Sequence, residues 1–248
     1  MTITRLIRSE LRKITSTRMP WAFLAVLAAL AGINAFAVVA GTDMDGSKAF
    51  IATAADQQSL VAFAANALAI AGLFGAIAAA REYGHHTVVP TFLASPRRHR
   101  AALAQLGAIA VSGGILGLVG AGLTVAAVAM SLPTTDYGFL ISVGNTTQVL
   151  AASAFAGAAG AVLGAGIGSL VRNVGGAVTG TVLALLIAPP LVVQLANDTA
   201  SWMPSVLANV VSGTVDDVSQ PAAVAAIAVW ALVPAALGVI AVQRRDVV

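Results

Sequence analysis

PWAFLAVLAALAGINAFAVVA, residues 20–40, is an unbroken apolar run whose only strongly polar side chain is the amide of Asn34. A bilayer core of about 30 Å is crossed by roughly 20 helical residues, and in lipid a backbone satisfies its own hydrogen bonds only as a helix or a closed barrel. The run therefore reads as a membrane-spanning helix. Five more follow, near residues 58–80, 101–130, 146–171, 174–197 and 221–242. None shows the polar and apolar alternation of a barrel strand. With 58% hydrophobic residues, 9% charged residues and a mean hydropathy of +0.91, the 248-residue chain is too apolar for a water-soluble globule. The expected fold is all-α and polytopic: six spans over residues 20–248, preceded by an amphipathic helix over residues 1–19. The third run is too long for one perpendicular crossing and must tilt or project. Pro189 and Pro190 remove backbone donors from the fifth and favour a kink. The first run exceeds a signal-peptide core and is followed by five spans, so it is expected to be retained.

Charge predicts sidedness. With the amino terminus in the cytoplasm, Arg5, Arg8, Arg12, Lys13, Arg18, Arg81, Arg97, Arg98, Arg100, Arg172, Arg244 and Arg245 fall inside, and only Lys48 of the thirteen Lys and Arg residues falls outside. The opposite loops collect Asp43, Asp45, Asp56, Asp136, Asp198, Asp216 and Asp217. Both termini are thus expected on the cytoplasmic side of the cell membrane. A sequence pI near 10.0 marks topology in this arrangement and gives no reason to expect a nucleic-acid partner. The absence of cysteine excludes disulfides, thiol catalysis and thiolate metal sites.

The amino-terminal arm has its own pattern. On a helical wheel Ile3, Leu6, Ile7, Leu11 and Ile14 fall within an arc of about 140°, with Arg5, Arg8 and Arg12 opposite. Such a helix can lie along a membrane surface. Glu10 is the exception, inside the apolar arc. One reading pairs it with Lys13 at i+3, worth roughly a few tenths of a kcal/mol. The other sets it against an arginine of another segment, Arg81 or Arg172, so that the arm is anchored to the bundle, because a partly buried carboxylate needs a partner.

Several apparent motifs fail on context. GTDMDGSK, residues 41–48, has the glycines of a phosphate loop, but Ser47-Lys48 is in reversed order and Asp43 and Asp45 would repel phosphate. His85, His86 and His99 have only Glu82 as an acidic companion, and adjacent histidines cannot share a helical face, so a solvated loop is favoured over a metal site. No span carries a charge near its centre, which leaves intramembrane catalysis without an ionisable group at depth. No catalytic residue, metal or bound cofactor is expected. The spans instead offer Asn34, Asn66, Gln194 and glycines at four-residue spacing: Gly113 and Gly117; Gly160, Gly164 and Gly168; Gly176 and Gly180. This spacing lets helices approach closely, so the ridges read as packing surfaces first and as a moving interface second. Asn34 and Asn66 read as interhelical glue ahead of pathway ligands.

Three segments carry a family resemblance. RLIRSELRKITSTR, residues 5–18, looks like the amphipathic connecting helix of the permease subunits of type-2 ATP-binding-cassette exporters. REYGHHTVVPTFLASPRRHR, residues 81–100, looks like their coupling loop, and the ending VQRRDV, residues 242–247, is similar to their usual terminus. The chain departs from that pattern at His86, where the family tends to have glycine, and at Gln105, where a lysine is common. The resemblance implies a permease that pairs with a second permease subunit, same or different, and is driven by a separate ATPase subunit holding ATP and Mg. It implies that Glu82, Thr87, Phe92, Leu93, Arg97 and Arg98 couple to that ATPase. The bare sequence leaves another reading of this loop, arginines that only set topology and bind anionic lipid. The resemblance also implies a structured external segment at residues 198–220, where Trp202, Met203, Val206, Leu207, Val210 and Val211 have helical spacing; a plain amphipathic surface loop fits that pattern too. The alternative function is a non-transporting membrane partner, such as an immunity or regulatory subunit.

Overall fold

A computed structural model describes residues 3–43, 46–62, 67–84 and 98–244. The arm is α1, Ile3–Thr15. After a three-residue turn, Pro20 near the helix start opens α2, Met19–Ala40. Helices α3, Ala54–Ala62, and α4, Ala67–Gly84, belong to one apolar stretch. Next come α5, Arg98–Ser131, and α6, Val143–Val171. The fifth apolar stretch is composite: α7, Val174–Val182, a π-helical turn over Leu183–Ile187, and α8, Ala188–Leu195. A short helix α9, Pro204–Val211, precedes the last span, α10, Gln220–Arg244. Among the described residues six helical stretches are long and apolar enough to cross a membrane, so the chain is an all-α polytopic membrane protein.

Burial sorts the spans. Residues facing the protein make up 64% of the most apolar window of Ala54–Gly84 and 61% in α6, against 17% in α2, 22% in Val174–Val192 and 28% in α10. The first two form the centre and the last three the rim, where Trp21, Ile33, Phe36 and Leu232 present their side chains outward. Lipid removes most of the hydrophobic drive for helices to associate, so close van der Waals packing must hold the centre. The buried face of α6 is accordingly made of alanine and glycine with few larger side chains.

The glycine ridges show how close that packing is. A Cβ on Gly160 would fall on the carbonyl of Leu68, one on Gly164 on the carbonyl of Gly72, and one on Gly168 would lie 2.6 Å from the carbonyl oxygen of Ala76. The ridge thus runs in register against α4, one contact per turn. Gly113 and Gly117 of α5 meet a second face of α6, at Gly157 and Ser153, and Gly166 meets α10 at Pro234 and Ala235. Gly176 and Gly180 share the same spacing but oppose side chains, those of Val171 and Ile167, so they form no backbone-to-backbone seam.

The two irregularities read from sequence have visible outcomes. Helix α5 has 34 residues, about 51 Å of helix, and exceeds the hydrocarbon core by several turns. At its start Ala101, Ala102, Ala104, Ala108 and Ile109 are buried, and α1 lies across that projecting end. Directly before Pro189 and Pro190 the helix widens into its π turn, which accommodates rings that would otherwise clash with carbonyls one turn back.

Candidate functional site

The arm meets the bundle through charge. Glu10 is only 5% exposed, and Lys13 Nζ lies 2.7 Å from its Oε1 and 3.3 Å from Oε1 of Glu82, at the end of α4. One ammonium with three donors therefore serves two carboxylates from different helices. Burial pulls the Lys13 pKa down, but the hydrogen bond to Glu10 and the charges of Glu82 and Glu10 outweigh it and hold the pKa above the usual lysine value of 10.5. The structure thus combines the two readings of Glu10 and corrects one detail: the i+3 pair with Lys13 exists, and the tie to the bundle runs through that lysine, not an arginine. Arg81 lines the same small cavity, beside Gln105, without an ion pair among the described residues.

Arg172 is occupied elsewhere. It ends α6 in the left-handed conformation, φ 61°, and Asn173 immediately caps α7 by accepting a hydrogen bond from the Gly176 N–H at 2.7 Å. Its guanidinium carbon sits 5.1 Å from the centroid of the Tyr83 ring, and Nη2 donates to the Ala241 carbonyl at 3.2 Å. Consecutive residues of α4 thus work in two directions, Glu82 toward the arm and Tyr83 toward α6 and α10.

Of the other residues singled out in sequence, Thr87, Phe92, Leu93, Arg97 and Asn66 lie outside the described residues, as does the side chain of Arg98, which opens α5. Asn34 donates to the Leu30 carbonyl of its own helix at 3.0 Å, and among the described residues its side chain joins no second helix. Gly160, Gly164 and Gly168 are the seam described above.

The opposite end of the bundle holds polar groups that sequence reasoning passed over. Gln57 is fully buried: its amide nitrogen donates to Ile51 and Gly138 carbonyls, and its oxygen accepts from the Leu140 N–H at 2.9 Å. Gln58 donates to the Ser212 carbonyl at 3.2 Å and accepts from the Asn145 amide at 2.6 Å. Together they fasten α3 to the loop before α6 and to the end of α9, whose Leu207 and Val210 are buried against α6 and α10. The expected helical segment between the fifth and sixth spans is therefore a packed element. Lys48, the cation on the minority side, donates to Val38 and Val39 carbonyls and caps α2. The signal for this cap was an adjacent amide pair, Gln57-Gln58, beside a long apolar run.

An arm clamped at one end, a polar cap at the other and a glycine-seamed core between them make up a multi-pass membrane protein. No protein-family model matches the chain, and no curated protein matches it either.

Proposed function

We propose that the chain is the transmembrane permease subunit of an ATP-binding-cassette exporter, with the arm end of the bundle in the cytoplasm of the cell membrane. A separate ATPase would bind ATP and Mg, and a second permease subunit would complete the pathway. The observation that carries this reading is the Lys13 bridge: it ties the arm, which resembles a connecting helix, to Glu82, the second residue of the 81–100 segment that resembles a coupling loop. Motion delivered to that segment would reach the arm through Glu82, and α6 and α10 through Tyr83 and Arg172. The charge segregation supports the orientation.

The test replaces Phe92 or Leu93 with aspartate, because a charge placed in a protein contact lacks a partner while a solvated loop tolerates it. In matched amounts of membrane-inserted protein, ATPase co-purification and stimulated hydrolysis should fall. Unchanged binding and hydrolysis in both variants would remove the segment from coupling and favour a non-transporting membrane partner. Reporters fused after Arg100 should behave as cytoplasmic, and reporters near Asp136 as external.

A further inference from the structure

The outward face of the arm is a stripe of cations without partners among the described residues. Arg5, Arg8 and Arg12 are exposed on one face of α1, together with Ser9 and Ser16, and Arg18 follows at the turn into α2. None of the four arginine side chains has an ion pair or hydrogen bond among the described residues. The two described carboxylates at this end, Glu10 and Glu82, both face Lys13. Among the described residues the stripe is thus uncompensated.

The orientation of the arm indicates what supplies the missing charge. Ile7 lies against Gly107 of α5, while Ile14 packs into the cluster that holds Ile109 and lines a small cavity with it. Seven residues along α1 are about 10 Å, whereas the matching positions on α5 differ by about 3 Å of rise, so the arm crosses that span instead of following it. With α5 crossing the bilayer, the arm would lie along the membrane plane, beside the end of α4 that carries Glu82 and the start of α2. Trp21, 70% exposed in the first turn of α2, sits where interfacial aromatic residues mark the headgroup layer. The apolar arc is already used against the bundle, with Leu6 buried and Ile14 packed in, so the arm has little apolar surface left to insert into lipid.

We infer that Arg5, Arg8 and Arg12 bind the phosphate groups of anionic phospholipids, by charge and hydrogen bonding with no apolar insertion of the arm. This surface acts through lipid alone and is independent of whether an ATPase docks at the 81–100 segment. Its signature is a preference for anionic headgroups that salt removes.

The chain has no cysteine, so Ser9→Cys carries a unique fluorophore on the stripe. The full chain is reconstituted in vesicles of fixed phosphatidylglycerol and phosphatidylcholine content, with a brominated quencher on one lipid or the other. Phosphatidylglycerol should quench preferentially, and salt near 1 M should abolish the preference. Each arginine near an anionic surface is worth roughly fivefold, so Arg5→Gln, Arg8→Gln and Arg12→Gln combined should cut the enrichment by more than about tenfold, while the three lysine variants keep most of it. Equal quenching by the two lipids, or an unaltered preference in the glutamine variant, would overturn the inference. Loss of the preference on adding millimolar inorganic phosphate at constant ionic strength would assign the stripe to free phosphate instead. Loss of ATPase co-purification without any lipid preference would assign it to a protein partner.

Discussion

Replacing Lys13 with methionine keeps most of the stem and removes the ammonium from between two carboxylates. At an effective dielectric near 20, contacts at 2.7 and 3.3 Å correspond to about 5 to 6 kcal/mol each of Coulomb attraction before desolvation is counted. Removing one partner of a buried pair costs about 3 to 5 kcal/mol net. The Lys13 side chain is 40% exposed, and water screens it, so about 2 kcal/mol is the expected loss of arm docking. That is about a 30-fold shift toward the released arm. Leu6→Cys places the only thiol of the chain on the docked face, where the native side chain is buried, and its modification rate reports release. Lys13→Met in that background should speed modification by roughly that factor, whereas Arg12→Met, at an exposed position without a partner among the described residues, should not. Glu82→Gln should have the smaller effect, because it removes one of two negative charges facing a single positive one. Equal rates for the Lys13 variant, the Arg12 variant and the parent would refute the bridge as the anchor.

Docking should also respond to alkali: because the Lys13 pKa is raised in the docked state, its contribution is complete below the usual value of 10.5 and disappears as pH climbs through the raised one, which the same thiol assay detects. Gly164→Val should prevent recovery of monodisperse protein, since even a Cβ meets the Gly72 carbonyl, whereas Gly32→Val, where nothing lies within 4 Å, should purify like the parent. Gln57→Leu orphans two carbonyls and one N–H at the polar cap and should lower thermal stability in detergent by about 1 to 3 kcal/mol; an unchanged melting temperature would show that the cap contributes little.

The spans were legible because in lipid length and apolarity decide almost everything about a helix, and the helix limits fall close to the expected ones. The arm was equally readable, its period being local. Partner choice was not local. Lys13 and Glu82 are 69 residues apart, and nothing in the sequence favours Glu82 over the arginines as the far end of the tie. Glycine spacing showed that Gly160, Gly164 and Gly168 could form a seam but gave no sign that α4 was opposite, and the same spacing at Gly176 and Gly180 produced no seam at all. Gln57 and Gln58 were passed over because their far acceptors come from segments about 80 and 150 residues away, which only the packed bundle brings near.

The junction at Arg172 and Asn173 has a kinematic consequence. One residue closes α6 and the next opens α7, which leaves no slack between them, and the guanidinium ties the same corner to α10. The corner behaves as a welded joint: α7 cannot translate along α6 without breaking a cap. Compliance in the fifth span must then come from its π turn at Leu183–Ile187, where the ladder is already wide and two prolines follow. Any bending of this span should therefore pivot at the turn, with displacement growing toward the end that carries the polar cap.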